Sequence, residues 1–326
     1  MTHSSDGGRR RVLVIHNPVA GGRQGWLGRV EMALGARGIA VERHATTAPG
    51  DAETVARVAA DGGPPVDAVL VAGGDGTVHE AVNGLAGRDL PLGVIPLGTA
   101  NVLARELALP RRAGALAAHL ARAPAAPVTL GRVTDGAGAG RHFLLMAGVG
   151  LDARAVAAVP GGLKRWTGKG AYVWAALRVL VRFPLGALTV TADGGVHTAW
   201  SAVISNARCY GGPHVVAPGA RLDAPGFEVV LLVRPGRLAA VRAALAIGLG
   251  RPRHTPVLRH VPAARVAVAG AGGEAVQVDG DAFAGLPFAA EAVPRGLRLI
   301  GGPATPAPGP GCAGGCAGRC RPGSSS

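Results

Sequence analysis

The stretch VAGGDGTVHEAVNG, residues 71–84, places one carboxylate inside a glycine-rich turn. The turn consists of Gly73, Gly74, Asp75, Gly76 and Thr77, and the helix that follows it is expected to begin at Thr77. Backbone amides in such a turn, leading into a helix, form a nest for phosphate oxygens that a bulkier residue would block. The turn lacks the lysine of a Walker loop and the spacing of a dinucleotide loop. A carboxylate beside phosphates is repulsive unless it holds Mg²⁺ or accepts a proton from an attacking hydroxyl. We therefore expect Asp75 to serve a phosphate site, the alternative being that it only caps the helix.

Two further loops combine an apolar run with residues that bind ligands. Asn17 follows the run at 12–15, and Gly98 and Thr99 follow the run at 91–96. The Asn17 amide can bond a base or a ribose, although an Asx turn would use the same residue. Three such loops predict one ligand site if they lie at one edge of a sheet.

The elements around these loops predict that edge. Across the first ~125 residues, apolar strands alternate with amphipathic helices, a pattern typical of an α/β fold with a doubly wound, mainly parallel sheet. Ligands of such sheets bind at the carboxyl ends of the strands. Residues 1–127 are therefore predicted to be a nucleotide-binding domain.

The second half has a different pattern. From residue 128 the chain reads as short strands separated by turns, with helical stretches at 169–182 and 237–248, which predicts a mainly antiparallel β-sandwich over 128–301. The active site is expected in the cleft between the two domains. Residues 302–326 are predicted to be a disordered Gly/Pro-rich tail, and its cysteines, Cys312, Cys316 and Cys320, lack a fourth metal ligand nearby.

The net charge of +14 comes mainly from arginine and favours polyanionic partners such as anionic lipid surfaces or phosphorylated ligands. No motif indicates nucleic-acid binding. The sequence shows no secretory signal and no membrane-spanning run, so we expect a cytoplasmic protein that associates peripherally with membranes. A homodimer is compatible with the sequence.

Several motifs together resemble a known family. HNPVAGG, AGGDGTVHEAVNGL and IPLGTANVLAREL, followed by GVGLD, LKRWTGKGAYVWAAL, NARCYGGPHVVAPGARLDAPGF and VQVDGD, resemble the catalytic domain shared by diacylglycerol kinases, sphingosine kinases and bacterial YegS/DgkB-like lipid kinases. The resemblance covers residues 10–300. It implies transfer of a phosphoryl group from ATP to a lipid hydroxyl.

The resemblance also implies roles for individual residues. Asp279 matches the general base that takes the proton of the lipid hydroxyl, and Asp75 lies near the transferred phosphate and its Mg²⁺. Asp281 replaces the usual glutamate. The implied nucleotide-binding residues are Asn17, Thr47, Gly73, Gly74, Gly76, Thr77, Gly98, Thr99, Arg165 and Asp281.

Two regions depart from the family or leave alternatives open. In RLDAPGFE, Asp223 remains where some members bind a structural Mg²⁺, but the neighbouring residues differ, and a polar hairpin turn is the alternative. The stretch 237–248 is apolar with arginines at its rims. Packing on the core is its expected use, and contact with lipid is the alternative. His16, His79 and His142 are expected to be structural or exposed.

The predicted function is that of an ATP- and Mg²⁺-dependent lipid kinase. The favoured acceptor is diacylglycerol, with phosphatidylglycerol or a sphingoid base next. The alternatives are an NAD kinase, which shares GGDGT, and a catalytically idle regulator that binds lipid or nucleotide.

Overall fold

The computed structural model describes residues 10–20, 24–150, 186–271, 274–283 and 285–303. Arg165, the stretch 169–182 and the three tail cysteines, all considered above, lie outside these described residues.

The first half alternates strands and helices, as predicted. The elements are β1 (Arg11–His16), α1 (Gln24–Gly35), β2 (Ala40–Ala45), α2 (Asp51–Ala60), β3 (Ala68–Gly73), α3 (Asp75–Leu85), β4 (Leu92–Pro96), α4 (Val102–Glu106) and α5 (Ala113–Arg122). The four strands pair in parallel in the order β2-β1-β3-β4. The strands β1 and β3 are buried along nearly their whole length because helices cover the sheet.

In its described ranges, the second half contains the following strands and one long helix. The elements are β5 (Ala125–Asp135), β6 (Gly140–Phe143), β7 (Met146–Val149), β8 (Leu188–Ala192), β9 (Gly195–Ala199), β10 (Ser201–Ser205), β11 (Cys209–Tyr210), β12 (His214–Val215), β13 (Phe227–Leu232), α6 (Arg237–Gly248), a 3-10 turn (Pro252–His254), β14 (Leu258–Ala263), β15 (Arg265–Gly270), β16 (Val276–Val278), β17 (Asp281–Phe283) and β18 (Phe288–Ile300).

Strands of the second half pair antiparallel and form two layers. One layer has the order β14-β13-β10-β7-β16-β17. The other contains β18, β15, β8 and β9, and the core between the layers includes Val229 and Val278 from one side and Val190 and Val268 from the other. The predicted α/β domain followed by an antiparallel β-sandwich is confirmed.

The strand β18 joins the two halves. It pairs antiparallel with β5 and β15, and its end lies parallel to β4 through Leu299 and Leu92. Leu297, Leu299 and Ile300 accordingly belong to the core of the first half. The parallel sheet therefore continues into one layer of the sandwich.

None of the described helices is both long and apolar enough to cross a membrane.

Candidate active site

The strand order of the parallel sheet reverses between β1 and β3, the place where sheets of this kind form a ligand crevice. Asn17 leaves the end of β1, and Thr77 lies in the first turn of α3, directly after β3. The Asn17 side-chain amide lies 3.4 Å from Thr77 Oγ1. The side-chain oxygen of Asn17, Oδ1, also accepts a hydrogen bond from the Val19 N–H at 3.0 Å, so the Asx turn is present as well.

The glycine loops after β3 and β4 touch each other. A Cβ on Gly98 would lie 2.6 Å from the Cα of Gly74, and one on Gly73 would lie 2.7 Å from Thr77 Cβ. Both distances are shorter than carbon atoms tolerate, so this close approach requires glycine at Gly98 and Gly73. The predicted loops are thus brought together at one edge of the sheet.

Asp75 is the first residue of α3, two positions earlier than the predicted helix start. Gly74 occupies the N-cap position, and no side chain caps α3. The Asp75 Oδ1 instead accepts the Val102 N–H at 2.8 Å, at the start of α4. Asp75 therefore joins the two glycine loops rather than capping its own helix.

Burial raises the pKa of Asp75 above its ordinary value of 3.8, although the amides of Val102, Leu103 and Asn101 favour the ionised form. The charge of Asp279 raises it further. The two carboxylates predicted to do chemistry therefore lie within electrostatic reach of each other.

Asp279 occupies the turn between β16 and β17 with a backbone φ of +48°, in the left-handed region. Its carboxylate is buried and accepts three backbone N–H groups: Leu144 on Oδ2 at 2.8 Å, and Leu145 and Met146 on Oδ1 at 2.9 and 2.8 Å. A carboxylate offers about four acceptor positions, so these bonds leave one on Oδ2. Burial raises the pKa of Asp279, against the opposing effects of His79 and the three amides.

The backbone that holds Asp279 is held in turn by Asn206. The Asn206 side-chain amide donates to the carbonyl oxygens of Thr129 at 2.7 Å and Leu144 at 2.9 Å. The sequence analysis included Asn206 only as part of a longer motif. Its burial and its two bonds identify it as a support for the 144–146 segment.

His79, expected from the sequence to be structural or exposed, is buried beside the two carboxylates, and its contacts were not predicted. It lies one turn after Asp75 on α3 and is only 1% exposed. Its Nδ1 lies 3.0 Å from Asp281 Oδ2, and its Nε2 lies 2.9 Å from the His142 carbonyl oxygen. Since both ring nitrogens face acceptors, the geometry calls for two N–H groups, which means an imidazolium.

The electrostatics of His79 agree with that geometry. Burial opposes its protonation, but the hydrogen bond that His79 donates to Asp281 and the charge of Asp279 outweigh burial and raise the pKa of His79 above 6.5. The Arg141 Nε lies 3.4 Å from the same Nε2 and opposes the charge. The carbonyl of His142 is the nearer group, so it decides the orientation of the ring. The only His79 signal in the sequence was its position four residues after Asp75.

The other predicted residues in the described ranges are Thr47, Thr99, Gly76 and Asp281. Thr47 follows β2, and its N–H and hydroxyl donate to Asp51 at 2.9 and 3.2 Å. Thr99 and Gly76 are exposed in the loop after β4 and the first turn of α3. Asp281 is exposed on β17 and contacts His79 rather than standing free.

The donor set at Asp223 does not fit a structural metal. Both carboxylate oxygens of Asp223 accept hydrogen bonds from Arg221, at 3.0 and 2.8 Å. The later acidic residue, Glu228, binds Arg253 at 2.6 Å, His260 at 2.8 Å and the Gly219 amide. Burial opposes the charge of Glu228, but these bonds outweigh it and lower its pKa from 4.5 to about 2. Within the described ranges, no three acidic, histidine or cysteine side chains are grouped to hold a metal.

Asp75 does fit a magnesium ion that arrives with a nucleotide. Mg²⁺ in such sites binds one or two carboxylates together with phosphate oxygens and water, so it needs no cluster of protein ligands. The crowded negative charge of Asp75 and Asp279 favours a cation at this place.

Two open depressions on the described surface, of about 410 and 480 Å³, are lined by other residues. The first lies beside Gly87 and Arg298, and the second beside Asp193 and Arg265. Neither includes Asp75 or Asp279, and the location of an active site in the interdomain cleft stays a prediction.

Comparison with protein families gives two matches. Residues 11–133 match the diacylglycerol kinase catalytic domain, and residues 146–301 match the YegS C-terminal NAD kinase beta sandwich-like domain. The boundary between the matched regions lies close to the change from the parallel sheet to the sandwich.

Individual relatives agree with these matches. A diacylglycerol kinase of Bacillus subtilis (strain 168) is 32% identical over 244 residues, which cover 72% of this chain and 78% of that protein. A probable lipid kinase, YegS-like, of Pseudomonas aeruginosa is 32% identical over 300 residues, covering 88% and 93%. A crystal structure of a candidate diacylglycerol kinase from Bacillus anthracis superposes with a TM-score of 0.77 at 25% identity, covering 94% of this chain and 99% of that one.

Proposed function

The chain belongs to the diacylglycerol kinase family of lipid kinases, and from that premise we propose that it transfers the γ-phosphoryl group of ATP to the hydroxyl of diacylglycerol, giving phosphatidic acid. Membership of this kinase family implies the use of ATP. The identity of the acceptor is the proposed part.

One observation carries the proposal: Asp75 from the first half and Asp279 from the second lie within electrostatic reach of each other. Asp75 stands among the glycine loops suited to phosphates, and Asp279 stands in a turn of the sandwich. Phosphoryl transfer needs a phosphate site and a proton acceptor side by side. The pair supplies both.

Asp279 acts as the general base. Its remaining acceptor position on Oδ2 takes the proton of the lipid hydroxyl. At the same time, the oxygen of that hydroxyl forms a bond to the γ-phosphorus. The bond from the γ-phosphorus to the bridging oxygen breaks, and ADP leaves with the electron pair. The three amide bonds hold the carboxylate rigidly, so it loses little entropy on meeting the acceptor.

The loops beside the point where the strand order reverses, between β1 and β3, bind the nucleotide in this proposal. Asn17 and Thr77 face the nucleoside side, and the amides near Gly74 and Gly98 face the phosphates. Mg²⁺ held by Asp75 would neutralise phosphate charge. Arg165 remains a proposed phosphate contact outside the described residues.

His79 positions the base without touching the substrate. As an imidazolium between Asp281 and the His142 carbonyl, it fixes the β16–β17 turn against α3. Its positive charge also favours the ionised form of Asp279. A base is useful only when ionised, so His79 supports the reaction through Asp279.

Two alternatives are distinguished by experiment. The GGDGT loop is shared with NAD kinases, and an idle regulator would keep the fold without transfer.

We propose that the protein is cytoplasmic and meets its lipid by peripheral association with a membrane; a homodimer stays an open proposal. A lipid acceptor is favoured because the named relatives are a diacylglycerol kinase and a probable lipid kinase.

The test is transfer of labelled phosphate from Mg·ATP into separate micelles of diacylglycerol, phosphatidylglycerol and sphingosine, with NAD in a parallel reaction. Asp75→Asn is the inactive variant, since the asparagine oxygen still accepts the Val102 N–H and keeps the loop folded. Asp89→Asn is the matched control because Asp89 is a carboxylate that is 92% exposed. The proposal is supported if diacylglycerol becomes labelled and if the label is lost in Asp75→Asn but kept in Asp89→Asn. Label in NAD alone, or in another lipid alone, contradicts it.

A further inference from the structure

The helix α6 and the residue that ends it carry three leucines on the side facing solvent. Leu238, Leu245 and Leu249 are 66%, 59% and 76% exposed. Together with Arg242, they follow the spacing i, i+4, i+7 and i+11, which places all four on one face of the helix. Of the seven large apolar side chains that are exposed in the described ranges, three lie on this face, which extends over about 16 Å.

The opposite face of α6 is made of small residues. Ala239, Ala240 and Ala243 are buried and pack with Leu232 and Val257 on the outer side of β13. An ordinary amphipathic surface helix has its leucines inward and its small or polar residues outward. Here the arrangement is reversed. The leucines therefore contribute little to the core, although the alanines confirm the expected packing on the β domain.

The charge around this helix has one sign. Residues 229–273 contain seven arginines and no aspartate, glutamate or lysine. Arg234, Arg237, Arg242 and Arg251 are exposed at or beside α6. Glu228, just before this stretch, is buried, paired with Arg253 and in hydrogen-bond contact with His260. Exposed apolar groups rimmed by arginine mark a surface for a negatively charged, apolar partner.

We propose that the outer face of α6, formed by Leu238, Arg242, Leu245 and Leu249, docks on an anionic lipid bilayer. The leucines enter the acyl boundary, and the surrounding arginines meet lipid phosphates. A second copy of the chain fits less well, because a two-fold dimer places the same surface against itself. Arg242 and its neighbours would then face their own copies without any acidic partner in 229–273.

The docking face lies on the same layer as the proposed base. In the strand order β13-β10-β7-β16, the strand beneath α6 is three steps from the strand that directly precedes Asp279, or about 14 Å. Docking through α6 would therefore keep the sandwich at the bilayer. This part rests on the proposed lipid-kinase function, whereas docking itself does not require catalysis.

The experiment measures binding of the full chain to sedimented vesicles without ATP. Vesicles of phosphatidylcholine containing phosphatidylglycerol are compared with vesicles of phosphatidylcholine alone. We expect the combined variant Leu238→Ser, Leu245→Ser, Leu249→Ser to partition at least about tenfold more weakly, since three leucines no longer enter the apolar layer. Arg237→Gln with Arg242→Gln should weaken binding to anionic vesicles by about fivefold per arginine at low salt.

A matched control distinguishes binding through this face from nonspecific binding through any exposed apolar side chain. Met32→Ser, Val58→Ser and Val196→Ser remove three equally exposed apolar side chains elsewhere and should leave vesicle binding unchanged. As a second readout, fluorescence of Leu245→Trp should shift to the blue with anionic vesicles and be quenched by brominated acyl chains.

Three results would overturn the proposal. In the first, the leucine variant binds vesicles as well as the wild type does. In the second, the fluorescence of Leu245→Trp does not shift with anionic vesicles. In the third, the leucine variant changes from dimer to monomer while its binding to vesicles is unaffected. The last would assign the face to a second copy. Because ATP is absent, loss of docking and loss of kinase activity are distinguishable. In the kinase assay, the leucine variant should keep its rate on short-chain diacylglycerol in micelles and lose it on vesicles.

Discussion

The Nδ1 of His79 lies 3.0 Å from the Oδ2 of Asp281, a residue 202 positions later in the chain. One belongs to a helix of the nucleotide-binding half, and the other to a strand of the sandwich. The bond thus joins the halves directly beside Asp279. It also places one positive charge among three carboxylates, Asp75, Asp279 and Asp281.

Replacing His79 should change how activity depends on pH. In His79→Gln, Asp279 loses a neighbouring positive charge, so its pKa rises further and the acidic limb of the kcat profile moves to higher pH. We expect kcat on the acidic limb itself to fall about tenfold, as it would if that limb moved upward by about one on the pH scale. The measurement is kcat and KM from pH 4 to 9. If kcat fell equally at every pH and the acidic limb stayed at the same pH, the role of His79 would be merely structural. The control variant is His214→Gln, since His214 is exposed.

His79 should also contribute a pH-dependent part of the folding free energy. Its pKa is raised in the folded protein, so this stabilisation is fully present below pH 6.5 and disappears as pH rises through the folded value. The difference in urea-unfolding free energy between wild type and His79→Gln should therefore be larger at pH 6 than at pH 9. A difference that grew with pH would contradict a protonated His79.

Asp279→Asn should separate the chemical step from nucleotide binding. We expect kcat to fall at least about a hundredfold, the usual contribution of a general base, with ATP affinity within about twofold of wild type. The new amide nitrogen would face one of the N–H groups that Asp279 accepts, so unfolding should be easier by about 1–2 kcal/mol. Calorimetry with ATP and single-turnover rates measure the two effects. Weaker ATP binding at an unchanged rate would remove the base assignment.

The two glycine loops predict different outcomes for two alanine substitutions. In Gly98→Ala, the Cβ would lie 2.6 Å from Gly74, so the loops must separate; we expect a loss of about 1–3 kcal/mol and at least tenfold weaker ATP binding. In Gly76→Ala, the Cβ meets nothing within 4 Å, so stability should hold while ATP binding falls if phosphates approach that amide. Gly114→Ala in α5 is equally open and serves as control. Unchanged ATP binding in both loop variants would contradict the phosphate site.

Glu228 should govern stability in acid. Its pKa of about 2 lies below the ordinary 4.5, so its stabilisation is present above pH 4.5 and is lost as pH falls toward 2. Glu228→Gln should cost on the order of 2–3 kcal/mol at pH 7 and show a shallower further loss in acid. Urea unfolding at pH 7 and 3.5 measures this. EDTA should leave the wild-type midpoint unchanged if Arg253 and His260 replace a metal there.

Much of the fold was predictable because its signals are local. Apolar strands followed by glycine or asparagine marked the carboxyl edge of the parallel sheet, and the structure brings Asn17, Thr77 and Gly98 to that edge. The helix start was misjudged by two residues because Gly74, not a side-chain cap, precedes α3. The prediction for α6 could not tell which side faced the core, since a helix apolar all round has no periodic signal.

The missed residues depend on contacts between distant parts of the chain. Nothing near His79 in sequence indicates that Asp281 will meet it, and nothing near Asn206 indicates that it supports Leu144. A structural metal at Asp223 was considered from its motif alone, and the partner that decides against it, Arg221, acts through side-chain geometry. Such choices among several polar partners are settled only when the halves pack together.

The path of β18 has a consequence for biosynthesis. β4 has β3 on one side and the end of β18 on the other, and the core of the first half is completed by Leu297, Leu299 and Ile300. A ribosome releases β4 some two hundred residues before it releases these side chains. During that interval β4 is an exposed sheet edge, open to mispairing with other nascent chains. The first half therefore depends on β18 to finish folding, and chaperone contact should be greatest before β18 emerges.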